Sequence, residues 1–133
     1  MASIFSRIVS GEIPAYKIAE SEDFVAFLDV FPLTEGHVLV IPKMEIETIY
    51  ELEADLYRKL FAFTQPIAKA IAKVIPCTKV GYAVVGLEVP HAHIHLVPIN
   101  SADDLNFTRP KLNVTPEMLA ATQEIICQAL SSK

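Results

Sequence analysis

The chain has 133 residues, the length of one domain, with 11 Lys and Arg against 16 Asp and Glu and a net charge of −5. Hydrophobic residues make up 52% and charged residues 20%, which excludes a disordered chain and supplies a core that needs no staples. The acidic balance argues against a nucleic-acid polymer as partner, because such binding rests on Lys and Arg opposite phosphates. A small phosphate ligand remains compatible with it.

Two cysteines, Cys77 and Cys127, are too few for a disulfide framework and too sparse for a cysteine-based zinc site. They read as buried thiols in a reducing compartment. The first residues carry no long apolar stretch, so no signal peptide is expected. No window approaches eighteen uninterrupted apolar residues, so no membrane helix is expected and a cytoplasmic location follows as the default.

Residues 3–10 predict a short helix with Ser3 as N-cap, Ile4, Phe5 and Ile8 on one apolar face, and Gly11 as its stop. Strands are expected at 16–19 and 24–29 around the turn-rich 20–23. In the second, Phe24, Ala26 and Leu28 point one way and Val25, Phe27 and Asp29 the other. A loop over 32–36 leads to the apolar run 37–42, a central strand. Residues 52–75 carry apolar side chains at threes and fours (Leu52, Leu56, Leu60, Phe63, Ile67, Ile71, Val74), with Pro66 expected to kink or split the helix. Strands follow at 80–85 and 91–97, then an irregular stretch over 101–113. The last helix is capped by Thr115, has Pro116 in its first turn, and lines up Met118, Thr122, Ile125 and Ala129. Mostly adjacent strands, separated by helices only twice, favour an antiparallel α+β domain.

Three of the four histidines are His91, His93 and His95, alternating with Ala92, Ile94 and Leu96. On a strand the three imidazoles share one face. A lone histidine in a strand is ordinarily structural; three at period two point to function. One reading is a metal site, since imidazole is a common ligand. Alternate strand residues are about 6.6 Å apart, so His91 and His95 are about 13 Å apart, too far for one ion to bind both. Two of them could join His37 around a metal, leaving the third over. The other reading is phosphate chemistry: a neutral imidazole attacks phosphorus while its neighbours offset charge on the nonbridging oxygens. It accounts for all three.

The segment His91-Ala92-His93-Ile94-His95-Leu96-Val97 resembles the motif of the histidine triad (HIT) family: His, apolar, His, apolar, His, apolar, apolar. The resemblance extends to 4–8 with 11–15, to 27–32 and to 36–43, and its order and spacing fit from about residue 3 to 99. Within the family it is similar to the short Hint-like and bacterial proteins. The resemblance implies a HIT-like fold over residues 1–133: an antiparallel sheet of about five strands with packed helices, a C-terminal helical extension at about 114–131, and pairing into a homodimer. It implies a phosphoramidase-like nucleotide hydrolase or transferase, needing no cofactor or metal, that cleaves the α-phosphate linkage of a nucleoside conjugate, with purine the family's habit. His93 would attack phosphorus and form a nucleotidyl-histidine. The His91 carbonyl would hold the His93 Nδ1 proton, His95 would bind phosphate oxygens, and His37 would lie beside the triad. Asp29 would take the ribose hydroxyls, and Ile4, Phe5, Ile8 and Phe27 would wall the base pocket. Taken singly, Asp29 also reads as a turn cap, Phe5 and Phe27 as core, and His37 as structural.

Three departures qualify this expectation. The loop before the triad is short, and Leu87 stands where the family has a glutamine that contacts phosphate; leucine donates no hydrogen bond. Losing one such donor costs about 3 kcal/mol in a transition state, so a nucleotide-binding module with little turnover is the alternative. Glu88 falls where relatives carry a serine that passes a proton to the leaving group, and it reads equally as a surface residue. Ser3 and Ser6 replace the two cysteines of zinc-binding relatives, and Glu45 falls near a further histidine of some of them, so that zinc is not expected. The sequence does not fix the base, the leaving group or the physiological substrate.

Overall fold

The computed structural model describes residues 3–131. In chain order they form α1 (Ile4–Val9), β1 (Lys17–Glu20), β2 (Phe24–Leu28), β3 (Val38–Pro42), α2 (Ala54–Val74), β4 (Lys79–Ala83), β5 (Ile94–Ile99) and α3 (Pro116–Ser131). Short 3-10 turns at Ile49–Glu51 and Ala102–Leu105 precede α2 and follow β5. The strands make one antiparallel five-stranded sheet in the order β1-β2-β3-β5-β4, the α+β architecture that the element order favours.

Alternation along the strands divides the apolar side chains between two faces. On one face Phe24, Ala26, Leu28, Val38, Val40, Ile94 and Leu96 pack against Leu60, Ile67 and Ile71 of α2 and Leu119 and Ile126 of α3. On the other, Val25, Phe27, Leu39 and Ile41 pack against Phe5 and Ile8 of α1, with Val9, Ile13, Ala15 and Val89 partly buried at the margin. The helix face is thus the main core, and the thinner face is where a site can open. His95, paired with Leu39 on one side and Ala83 on the other, projects from that thinner face, opposite Ile94 and Leu96.

Several expected boundaries shift. The Ser3 hydroxyl does cap α1, accepting from the Ser6 N–H at 3.0 Å, and Gly11 follows at φ 84. Pro66 does not split α2, which runs unbroken for 21 residues. Its missing N–H costs one bond, while burial of Leu60, Ile67, Ala70 and Ile71 on either side holds both halves to the sheet. β4 ends at Ala83, leaving Val84 and Val85 half exposed. Thr115 caps α3 through its hydroxyl, as expected. The buried face of α3 is Leu119, Thr122 and Ile126, not the Met118–Thr122–Ile125 line; Met118 and Ile125 stay exposed. His91 and His93 lie in the turn leading into β5 and not in the strand.

Candidate active site

The four histidines come together where β3, β5 and the loop after β2 meet. All four are buried. The His93 and His95 rings are 4.9 Å apart centre to centre, and those of His37 and His95 5.1 Å. Phe5 of α1 presents its edge to His93 at 5.0 Å, and Phe107 presents its edge to His95 at 4.6 Å. The triad is therefore bracketed by two aromatic rings.

Backbone groups fix which nitrogen of each ring carries the proton. The Leu33 N–H donates to His37 Nδ1 at 3.0 Å, so the His37 proton sits on Nε2. His37 Nε2–H then donates to His95 Nδ1 at 2.9 Å, which leaves the His95 proton on Nε2 as a free donor. His93 Nδ1–H donates to the His91 carbonyl at 2.7 Å, which leaves the lone pair on its Nε2. His91 Nε2–H donates to the Pro42 carbonyl at 2.8 Å, and its Nδ1 accepts from the Ser3 hydroxyl at 2.9 Å. A lone pair on His93 thus stands beside an N–H on His95, the pairing that attack on a phosphate requires.

Burial keeps these rings uncharged. It pulls His37 down to about 3 from 6.5, with Lys111 and His93 adding repulsion. Burial does the same for His95, also to about 3, helped by His37, His93 and Lys111. His93 is lowered by burial, partly offset by its bond to the His91 carbonyl.

Asp29 directly follows β2. Its Oδ1 accepts from the Phe31 N–H at 2.9 Å, the turn-capping role, while Oδ2 lies 3.7 Å from His37 Nε2. Burial raises its carboxyl above the ordinary value. Asp29, His37 and His95 have ligand atoms within 4.8 Å of one another. A metal at His37 Nε2 would need the lone pair there, moving the proton to Nδ1 and facing it against the Leu33 N–H. The donor set therefore suits hydrogen bonding better than coordination, and His93 stands outside this trio.

Phe5, Ile8 and Phe27 pack together, with Phe5 and Phe27 edge to face at 5.6 Å. Ile4 lies outside that cluster and is half exposed. Leu87 is 91% exposed, and Glu88 is exposed on the same loop. Neither makes a side-chain hydrogen bond among the described residues, so the structure does not join them to the triad. Sequence reasoning gave three neighbours of the triad no contact with it. Gly86, at φ 63, leaves space beside His93: a Cβ there would lie 3.3 Å from His93 Cε1. Phe107 comes from the segment read as irregular, which is tied down by the Leu112 N–H donating to the Pro32 carbonyl at 2.9 Å. Glu45 joins Ser3, Ser6 and His91 in one hydrogen-bonded cluster. In sequence Gly86 was marked as a glycine just after a strand and Glu45 by its place near a histidine of some relatives; Phe107 had no signal.

Those four residues do not fit the zinc of the zinc-binding relatives. Two hydroxyls stand where thiolates would be needed, and Ser3 already occupies His91 Nδ1.

A HIT-domain family model matches residues 10–102. The chain is 32% identical over 128 residues to the adenosine 5′-monophosphoramidase hnt1 of Schizosaccharomyces pombe, covering 95% of this chain and 96% of the relative. It is 37% identical over 102 residues to protein hit of Bacillus subtilis, covering 71% and 69%. Among solved structures it resembles a zinc-bound histidine triad family protein from Mycobacterium smegmatis, with TM-score 0.82, 31% identity, and 98% and 94% of the two chains covered. With the motif, the five-stranded sheet and these matches in agreement, the chain belongs to the HIT family.

Proposed function

We propose that this protein is a nucleotide hydrolase that cleaves the α-phosphate linkage of a nucleoside 5′-phosphate conjugate by covalent catalysis at His93. The observation that carries the reading is the His93 ring, tethered at Nδ1 to the His91 carbonyl with its Nε2 lone pair uncommitted beside the His95 N–H. His93 Nε2 attacks the α-phosphorus. The N–P bond forms as the bond to the leaving group breaks, and His95 Nε2–H donates to a nonbridging oxygen. The leaving group departs with the bonding electron pair and takes a proton from water at the exposed loop that carries Glu88. Water then attacks phosphorus, the N–P bond breaks, and the nucleoside monophosphate leaves with His93 restored.

Asp29 Oδ2 is the acceptor for ribose hydroxyls, and the Phe5, Ile8 and Phe27 cluster, with Ile4 at its exposed margin, lines the base. The relative named adenosine 5′-monophosphoramidase supports an adenosine phosphoramidate as first substrate. The chemistry needs no metal, because the imidazoles supply both nucleophile and donor. A second copy is the expected partner: β4 is an edge strand with half-exposed Tyr82, Val84 and Val85 at its end. Among the described residues no helix is long and apolar enough to cross a membrane. A cytoplasmic location fits the free cysteines.

The exposed Leu87, with no donor to offer, favours one rival, a binding module with little turnover. The experiment compares wild type with His93→Ala on adenosine 5′-phosphoramidate in EDTA, following AMP release and the mass of the protein. Wild-type turnover that His93→Ala abolishes is expected. Tight AMP binding without turnover in either protein selects the module, and activity lost to EDTA alone selects a metal enzyme.

A further inference from the structure

We propose that Glu45 is a positioning residue, which acts through Ser3, Ser6 and His91 to hold the His93 ring in its attacking orientation. Its consequence for turnover rests on the reading of His93 as nucleophile.

Glu45 is exposed, with no residue of opposite charge in its hydrogen bonds. Its Oε1 accepts from the Ser3 backbone N–H at 2.7 Å and from the Ser6 hydroxyl at 2.5 Å. Those two donors hold its carboxyl at about 2, well below the usual carboxylate range. Ser3 faces two ways: its oxygen accepts from the Ser6 N–H and its hydroxyl proton goes to His91 Nδ1. His91, fully buried, is then held at both ring nitrogens. Its carbonyl is the acceptor for His93 Nδ1–H.

Ile46, the next residue, grips the other side of the same peptide unit. Its carbonyl accepts from the Ala92 N–H at 2.7 Å, and that N–H shares a plane with the His91 carbonyl. The 45–46 segment therefore sets the tilt of the one peptide that orients the nucleophile, from the ring side through Ser3 and from the backbone side through Ile46. The same bonds seat α1, whose Phe5 ring touches both His91 and His93. A surface carboxylate that only capped a six-residue helix would not need this route to a buried imidazole.

The test reads ring tautomers by nitrogen-15 NMR in wild type, Glu45→Ala, Glu45→Gln and Ser3→Ala, alongside kcat and KM for adenosine 5′-phosphoramidate. Wild type should carry the His93 proton on Nδ1 alone. Glu45→Ala and Ser3→Ala should move the His93 nitrogen shifts toward a mixture of tautomers. Their kcat should fall about tenfold with KM changed less, the loss expected of one oriented hydrogen bond. Glu45→Gln keeps an oxygen acceptor and should restore both readouts most of the way. If Glu45→Ala does not fold, Ser3→Ala, which removes a single oxygen, carries the test alone. An unchanged His93 tautomer in the folded alanine variants overturns the proposal, whatever happens to Tm. A tautomer change in a protein that never turns over substrate upholds the positioning role and refutes the hydrolase reading instead.

Discussion

The His37–His95 pair is buried without charge, and this gives it a signature in pH. Both imidazoles sit at about 3 in the fold and near 6.5 when unfolded. The unfolded chain therefore takes up protons that the folded chain refuses. The stability these groups allow is fully present above pH 6.5 and is lost as pH falls from 6.5 toward 3. The slope is at most about 1.4 kcal/mol per pH unit for each ring. Urea unfolding at pH 7 and pH 5 should give a lower free energy at pH 5, and His37→Asn should flatten the difference. Because His93 is lowered in the same direction, the acid fall in kcat/KM should be centred below the 6.5 of a free imidazole. The three histidines were legible in the sequence from their spacing, although only His95 lies on the strand that a period of two assumes. The proton positions were not. They are set by the Leu33 N–H and by the Pro42 and His91 carbonyls, backbone groups that every residue carries and no motif records.

Helix α2 shows how packing overrides a local rule. Pro66 leaves the Ala62 carbonyl without its usual donor, yet the apolar stripe on both sides of it remains seated on the sheet. Pro66 itself is exposed, so nothing in the core depends on its ring. Pro66→Ala restores the missing bond and should raise stability, by up to about 3 kcal/mol, seen as a higher urea midpoint at unchanged m-value. At this scale the sequence was informative about which elements exist and less so about their ends. In α3, Met118 and Leu119 are both apolar neighbours, and so are Ile125 and Ile126. Either stripe satisfies helical spacing, and only the position of α2 and β1 against it decides which is buried. His91 and His93 fell outside β5 because the Ala92 N–H bonds to Ile46 and not to a neighbouring strand.

For the whole molecule, the sheet ends at β1 on one side and β4 on the other. An unpaired edge carrying exposed apolar residues needs a cover. β1 has α3 beside it, whereas Tyr82, Val84 and Val85 at the β4 end are open. Analytical ultracentrifugation should give about twice the 14.7 kDa of one chain, and Val84→Lys should shift the species toward that single mass. The five-stranded antiparallel plan was readable from alternation and turn residues. The closure of the site by Phe107 was not, since 101–113 has no periodicity and its place depends on the Leu112–Pro32 bond across the fold.

The division of the sheet into a thick and a thin side has a consequence for how such a protein can change. The triad is anchored through His95 on β5, beside β3, and the other side of both strands is locked under two long helices. Its surroundings come from α1, the loop carrying Gly86 to Glu88 and the segment carrying Phe107, which contribute little to that lock. Insertions, deletions and exchanges in the last two of those pieces can therefore accumulate at small thermodynamic cost, while the four histidines keep their places. Changes in what the site accepts can arise in such pieces before foldability is tested.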